Sequence, residues 1–180
     1  KIIAYNYFGG KFTYLQYLYA NFPAGFEHLV DLFGGSFSVS LNYKGRCIRT
    51  ANEINSDITN FFQCLRDNEA ELTRLLLLTP CSKEEYDRSW PTEIIPEDRL
   101  EVRLERARAF YVRVRQSFFG LGAQRRNKGW HMVKTKMYTH SGETVTKWNN
   151  AIEKLHEVAE VIRNQFQITN WHWADALEKI

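Results

Sequence analysis

His28-Leu29-Val30-Asp31-Leu32-Phe33-Gly34-Gly35-Ser36 decides how the rest of the chain is read. A short apolar run that ends in two glycines, with Val39 and Leu41 beyond it, predicts a buried strand turning into a helix. A glycine at such a turn removes the side chain that would keep a cofactor away from the helix N-terminus. On the C-terminal side, Arg46 to Glu53 fits a second strand. Asn55-Ser56-Asp57 then supplies a helix cap ahead of Ile58, Phe61, Phe62 and Leu65. Strand, helix, strand, helix is the rhythm of a parallel sheet, which takes its ligands at the carboxyl ends of the strands. Glu53 follows the glycine turn by about 20 residues, the spacing at which an acid accepts hydrogen bonds from a ribose diol. Each feature alone also suits an ordinary turn or a solvated strand-end acid; the combination carries the reading.

On the N-terminal side, Tyr7-Phe8-Gly9-Gly10-Lys11 precedes Phe12-Thr13-Tyr14-Leu15-Gln16-Tyr17-Leu18, which has helical apolar spacing, so loop then helix is expected. Gly10-Lys11 is not a nucleoside-triphosphate loop. Tyr5 stands where that motif needs its first glycine, and Phe12 where it needs Ser or Thr. What remains is a tight loop that lets a ligand approach the backbone beside one cation, or an ordinary turn before a helix.

From about Glu69 to Phe166 the alternation stops, and a mostly helical inserted segment is expected. Leu100, Leu104, Ala107, Tyr111, Val114 and Phe118 form a helical stripe, with Arg99, Arg103, Arg106, Arg113 and Arg115 on the other faces. Such a face is more often solvated than set against DNA. Between Gly120 and Gly142, Arg125, Arg126, Lys128, Lys134 and Lys136 are interleaved with Trp130 and Tyr138. That mixture suits phosphate contacts and stacking on exposed bases as well as a solvated loop. Helical spacing returns at Trp148, Ile152, Leu155, Ala159, Ile162 and Phe166, and a last strand from about Gln167 to Trp173 leads into Asp175-Ala176-Leu177.

Composition narrows the classes. The net charge is only +3, so binding to nucleic acid has to come from where the cations sit. Cys47, Cys64 and Cys81 form no Cys-x-x-Cys pair, and the five histidines show no metal-ligand spacing, so no metal site is expected and a reducing cytoplasm fits best. No apolar run approaches the roughly 20 residues that cross a bilayer, so no membrane partner is expected.

Taken together these residues resemble the DNA adenine methylase family, whose members carry an aromatic-x-Gly-Gly-Lys loop, then a Phe-x-Gly-x-Gly turn, then an Asp-Ile-Asn segment. Here Tyr7-Phe8-Gly9-Gly10-Lys11, Phe33-Gly34-Gly35-Ser36-Phe37 and Glu53-Ile54-Asn55 stand in that order. The resemblance implies an α/β fold: the N-terminal half of a Rossmann-like methyltransferase parallel sheet with a mostly helical target-recognition insertion. It implies S-adenosylmethionine as cofactor, held by Tyr7, Gly9, Gly10, Lys11, Asp31, Phe33, Gly35, Glu53 and Ile54, and it puts Asp175 near the cofactor's adenine. Gln116 to Gly122 and Lys147 to Ile152 are similar to the target-recognition insertion of phage and restriction-type members. Duplex DNA is then the substrate, Arg125, Arg126, Lys128, Trp130, Lys134, Lys136 and Tyr138 its contacts, and a restriction endonuclease a candidate partner. The implied division is a cofactor-binding segment over residues 1–68, an insertion over 69–166 and a return strand over 167–180.

Three positions depart from the family pattern. Phe37 stands at the second glycine of the turn and is expected to point into the protein, and Glu53 replaces the commoner Asp. The Asp-Pro-Pro-Tyr tetrapeptide, which in the family holds the amine of a flipped-out adenine, is absent, so no catalytic residue is assigned and the motif is expected after Ile180. Three parallel strands are half of a doubly wound sheet, so a bare edge is expected on the strand that carries the glycine turn. The rival reading is a non-catalytic DNA-binding or regulatory protein that retains the cofactor fold.

Overall fold

In chain order, a 3-10 turn at Phe12–Tyr14 runs into α1 (Leu15–Ala20), followed by β1 (His28–Asp31), α2 (Ser38–Asn42), β2 (Ile48–Asn52) and α3 (Ser56–Asp67). There follow α4 (Glu69–Leu77), α5 (Lys83–Arg88), α6 (Leu100–Arg115) and a 3-10 turn at Phe118–Ala123. A two-residue hairpin, β3 (Met137–Tyr138) and β4 (Ser141–Gly142), leads to α7 (Glu143–Glu153), α8 (Leu155–Gln165), β5 (Gln167–Thr169) and α9 (Trp173–Lys179). The structure is a computed structural model that describes residues 1–90, 99–124, 129–132, 137–138 and 141–180.

The sheet is parallel, in the order β1-β2-β5, with Val30 beside Thr50 and Thr50 beside Gln167. The centre of the sheet is therefore β2, and from Arg49 to Asn52 it is buried. Among the described residues β1 pairs only with β2. The last strand is shorter than the sequence suggests: β5 stops at Thr169 and Trp173 opens a helix. The cause is Asn52, whose side chain accepts from the Trp171 N–H at 2.9 Å and donates to the Trp171 carbonyl at 3.0 Å, which draws the chain out of the ladder. Asp175-Ala176-Leu177 is accordingly helical.

The cap of α3 forms as read: Asn55 Oδ1 accepts the Asp57 N–H at 3.0 Å. The α3 helix then buries Ile58, Phe61, Phe62 and Leu65, and α6 is its most extensive helix contact. The expected α6 stripe holds in its middle. Leu104, Ala107, Tyr111 and Val114 are buried, whereas Leu100 and Phe118, at the two ends, are exposed. Tyr5, Phe37, Phe61, Phe62, Phe110 and Tyr111 make an aromatic centre, with Phe37 stacked on Phe62 at 4.3 Å and Phe61 on Tyr111 at 5.3 Å. Full burial of such a ring is worth about 1.5–3 kcal/mol, and a good ring pair adds about 0.5–1.5. One buried cluster runs through residues of both the 1–68 and the 69–166 segments. Within the second segment, α8 packs on α3 and α2 and carries the chain into β5, as a crossover helix of a parallel sheet does.

Candidate functional site

The carboxyl ends of the three strands are held together by Asn52. Its carboxamide donates to the Leu32 carbonyl at 3.1 Å and to Trp171, and accepts from the Thr169 hydroxyl at 2.8 Å. The Gly34 N–H adds a bond to the Asn52 carbonyl at 2.9 Å. These contacts fix the glycine turn over the end of β2. Asn52 was not legible in the sequence, because a polar residue at the end of a strand carries no periodic signal.

Within the turn, Gly35 adopts φ +54°, and a Cβ there would lie 2.9 Å from the Tyr7 ring. Its N–H donates to Glu53 Oε2 at 2.8 Å, and its carbonyl accepts from the Tyr5 hydroxyl at 3.0 Å. The other Glu53 oxygen accepts the Asn55 N–H at 3.0 Å. Tyr7, Gly35 and Glu53, distant in sequence, thus share one place at the carboxyl edge of the sheet. The left-handed turn continues at Phe37, φ 53°, whose ring is fully buried. The backbone conformation explains why a glycine suits that position, and the ring points inward, as read from the sequence.

Asp31, at the end of β1, accepts from the Ser40 hydroxyl at 3.3 Å, and burial pushes its carboxyl up to about 6. Burial likewise raises the Tyr7 phenol. In the opening loop, the Gly10 N–H closes a turn on the Tyr7 carbonyl at 2.9 Å, Gly9 has φ +79°, and the exposed Lys11 Nζ lies 3.1 Å from the Gly9 carbonyl. Phe33 and Ile54, each just beyond a strand end, are 74% and 61% exposed. Asp175 is exposed on the first turn of α9.

The cradle suits a nucleoside-type ligand. Gly35 has no room for a side chain, Phe33 and Ile54 present apolar surface, and the Ser36 hydroxyl in the turn is buried without a partner among the described residues. Each Glu53 oxygen accepts one N–H and keeps a second lone pair for a ligand hydroxyl. A groove of about 520 Å³ beside Arg46, Cys47, Arg49 and Arg163 lies at the opposite, amino ends of β2 and β5, away from these residues.

The sequence profile of D12 class N6 adenine-specific DNA methyltransferases matches residues 7–179, nearly the whole chain. The chain belongs to this family. Comparison with curated proteins finds no match. The family's activity is adenine-specific methylation of DNA, and its members generally depend on S-adenosylmethionine. In this D12-class chain the arginines of α6 sit differently from the sequence reading. Arg106 and Arg113 both pair with Asp57 at 2.6 Å, and Arg108 pairs with Glu85 at 2.9 Å and with Glu105 at 2.6 Å. The Trp130 indole N–H donates to Gln116 Oε1 at 3.1 Å. Tyr138 lies on β3, whereas Arg125, Arg126, Lys128, Lys134 and Lys136 fall outside the described residues. No helix among the described residues is long and apolar enough to cross a membrane, and no group of three metal-ligating side chains occurs among them.

Proposed function

We propose that the chain binds S-adenosylmethionine at the carboxyl edge of its sheet and serves transfer of the methyl group to the exocyclic amine of adenine in duplex DNA. The observation that carries this reading is the convergence of Tyr7, Gly35 and Glu53 in a chain of this family. When bound, the donor supplies a methyl group on a positively charged sulfur. Glu53 accepts hydrogen bonds from the ribose, Gly35 lets the ligand approach the backbone, and Tyr7, Phe33 and Ile54 cover its apolar parts. Asp31 faces a cationic end, whose charge would favour the ionised carboxyl. Gly9, Gly10 and Lys11 close the cradle from the opening loop, with Asp175 on the adenine side. In the same reading Arg125, Arg126, Lys128, Lys134 and Lys136 hold phosphates, while Trp130 and Tyr138 are the aromatic contacts to the duplex.

The 180 residues contain no Asp-Pro-Pro-Tyr, so the test is one of binding rather than turnover. Calorimetric titration with S-adenosylmethionine should give saturable, one-to-one binding. Glu53→Gln, which turns a charged acceptor into a neutral one, should weaken it by about tenfold or more. Gly35→Val, which drives a side chain toward Tyr7, should abolish it. Full binding by a folded Gly35→Val would refute the site.

A further inference from the structure

Both arms of the candidate cradle are held by α6 and the turn that follows it. On the first arm, Asp57 in the opening turn of α3 meets Arg106 Nε through Oδ1 and Arg113 Nη2 through Oδ2, each at 2.6 Å. Arg106 also donates to the Ser56 hydroxyl at 2.7 Å, and Arg113 is 5% exposed, so water competes little on that side. From Asp57 the contacts continue toward the glycine turn. The Asp57 N–H donates to Asn55 Oδ1, the Asn55 N–H to Glu53 Oε1, and Glu53 Oε2 takes the Gly35 N–H. On the second arm, the Tyr111 hydroxyl donates to the Ala4 carbonyl at 3.1 Å and Gln124 Nε2 to the Phe8 carbonyl at 2.9 Å. Gly120 packs between them against the Asn6 carbonyl, too closely to admit a side chain. Thus α6 and the turn that follows it grip alternate residues of the opening loop while its arginines grip the loop that carries Glu53.

We propose that Asp57 is a positioning residue for cofactor binding, anchored by Arg106 and Arg113 and acting through Asn55 on Glu53. The assignment rests on Glu53 lining the donor's site. A carboxylate held by guanidinium groups on both oxygens cannot rotate freely, so the start of α3 and the Glu53 loop are fixed to α6 rather than to the sheet alone. A displacement of about 1 Å in such a group can cost as much as a hundredfold in a reaction it orients.

The experiment titrates the 180-residue chain and its variants with S-adenosylmethionine by calorimetry and follows thermal unfolding in parallel. Asp57→Asn should bind about tenfold more weakly, and Arg106→Gln, at a partly exposed anchor, about threefold. The double variant Glu53→Gln/Asp57→Asn should bind no worse than Glu53→Gln alone, because Asp57 acts through that carboxylate; a purely structural role would make the two losses add. Should Asp57→Asn fail to fold, Arg106→Gln and the cycle of Arg106→Gln with Glu53→Gln carry the test. If Glu53→Gln weakens binding while Asp57→Asn or Arg106→Gln, folded, binds like the parent, the positioning role is wrong and the site stands. If the parent does not bind the donor, the site itself is wrong.

Discussion

Asp31 shows what a single residue costs when its carboxyl is buried at the end of β1, a strand that is only half-buried where the sequence suggests a buried one. Burial raises its pKa from 3.8 to about 6, so the folded chain holds that proton more tightly than the unfolded chain does. Its contribution to stability is therefore complete below about pH 4 and is lost as the pH rises through 6. Asp31→Asn keeps the shape and a partner for Ser40 but has no charge to desolvate. At pH 8 it should be more stable than the parent by roughly 1–3 kcal/mol, and near pH 4 the difference should vanish. Chemical denaturation at the two pH values measures it, and an equal difference at both would mean that the buried carboxyl ionises as it does in water. A group that weakens the fold at neutral pH is expected where binding needs it, and the proposed cationic ligand would offset the cost. Phe37 is a second such place: an L-residue at φ 53° is strained, yet its ring fills the core against Phe62.

Elements whose signals are local were legible in the sequence: the apolar run of β1 ends at its glycines, Asn55 caps α3, and the middle of the α6 stripe is buried. What was hidden depends on partners far along the chain. A basic helix face reads the same whether it meets water or an acid, and Asp57 lies 49 residues from Arg106 and 56 from Arg113. Of the candidate site, the glycines and Glu53 could be named from spacing, whereas Asn52 and the grip of α6 and the turn that follows it on Ala4, Asn6 and Phe8 could not. The same contrast predicts how α6 responds to substitution. Arg113 is buried, paired with Asp57 and bonded to the Ser89 carbonyl, so Arg113→Ala removes an anchor that joins α6 to α3 and to the end of α5. It should cost on the order of 3–5 kcal/mol in urea denaturation, whereas Arg99→Ala, at the exposed start of the helix, should stay within about 0.5 kcal/mol. Equal effects at the two positions would return the α6 arginines to a solvated face.

For the whole molecule, the proposed division by function is not a division by core. Residues 1–68 supply two strands and the glycine turn, and 69–166 supply most of the helices, yet Phe61 of the first stacks on Tyr111 of the second and Tyr5 packs on Phe110. A parallel sheet must be covered to be stable; in this chain α2 lies on β1 and β2 and α3 on β5, while α6 and α8 of the second segment pack in turn on α3. Among the described residues neither segment has a buried cluster of its own, so neither is expected to hold its structure after the other has opened. Differential scanning calorimetry should therefore show one transition, with the van't Hoff enthalpy equal to the calorimetric enthalpy, and loss of near-ultraviolet dichroism from the aromatic centre should coincide with loss of helix. Saturating S-adenosylmethionine should move that single transition upward as a unit, because a ligand held at Gly35 and Glu53 stabilises every element that unfolds with them. Two resolved transitions, of which only the one assigned to 1–68 responds to the donor, would mean that the 69–166 segment folds on its own and that α6 does not hold the cradle.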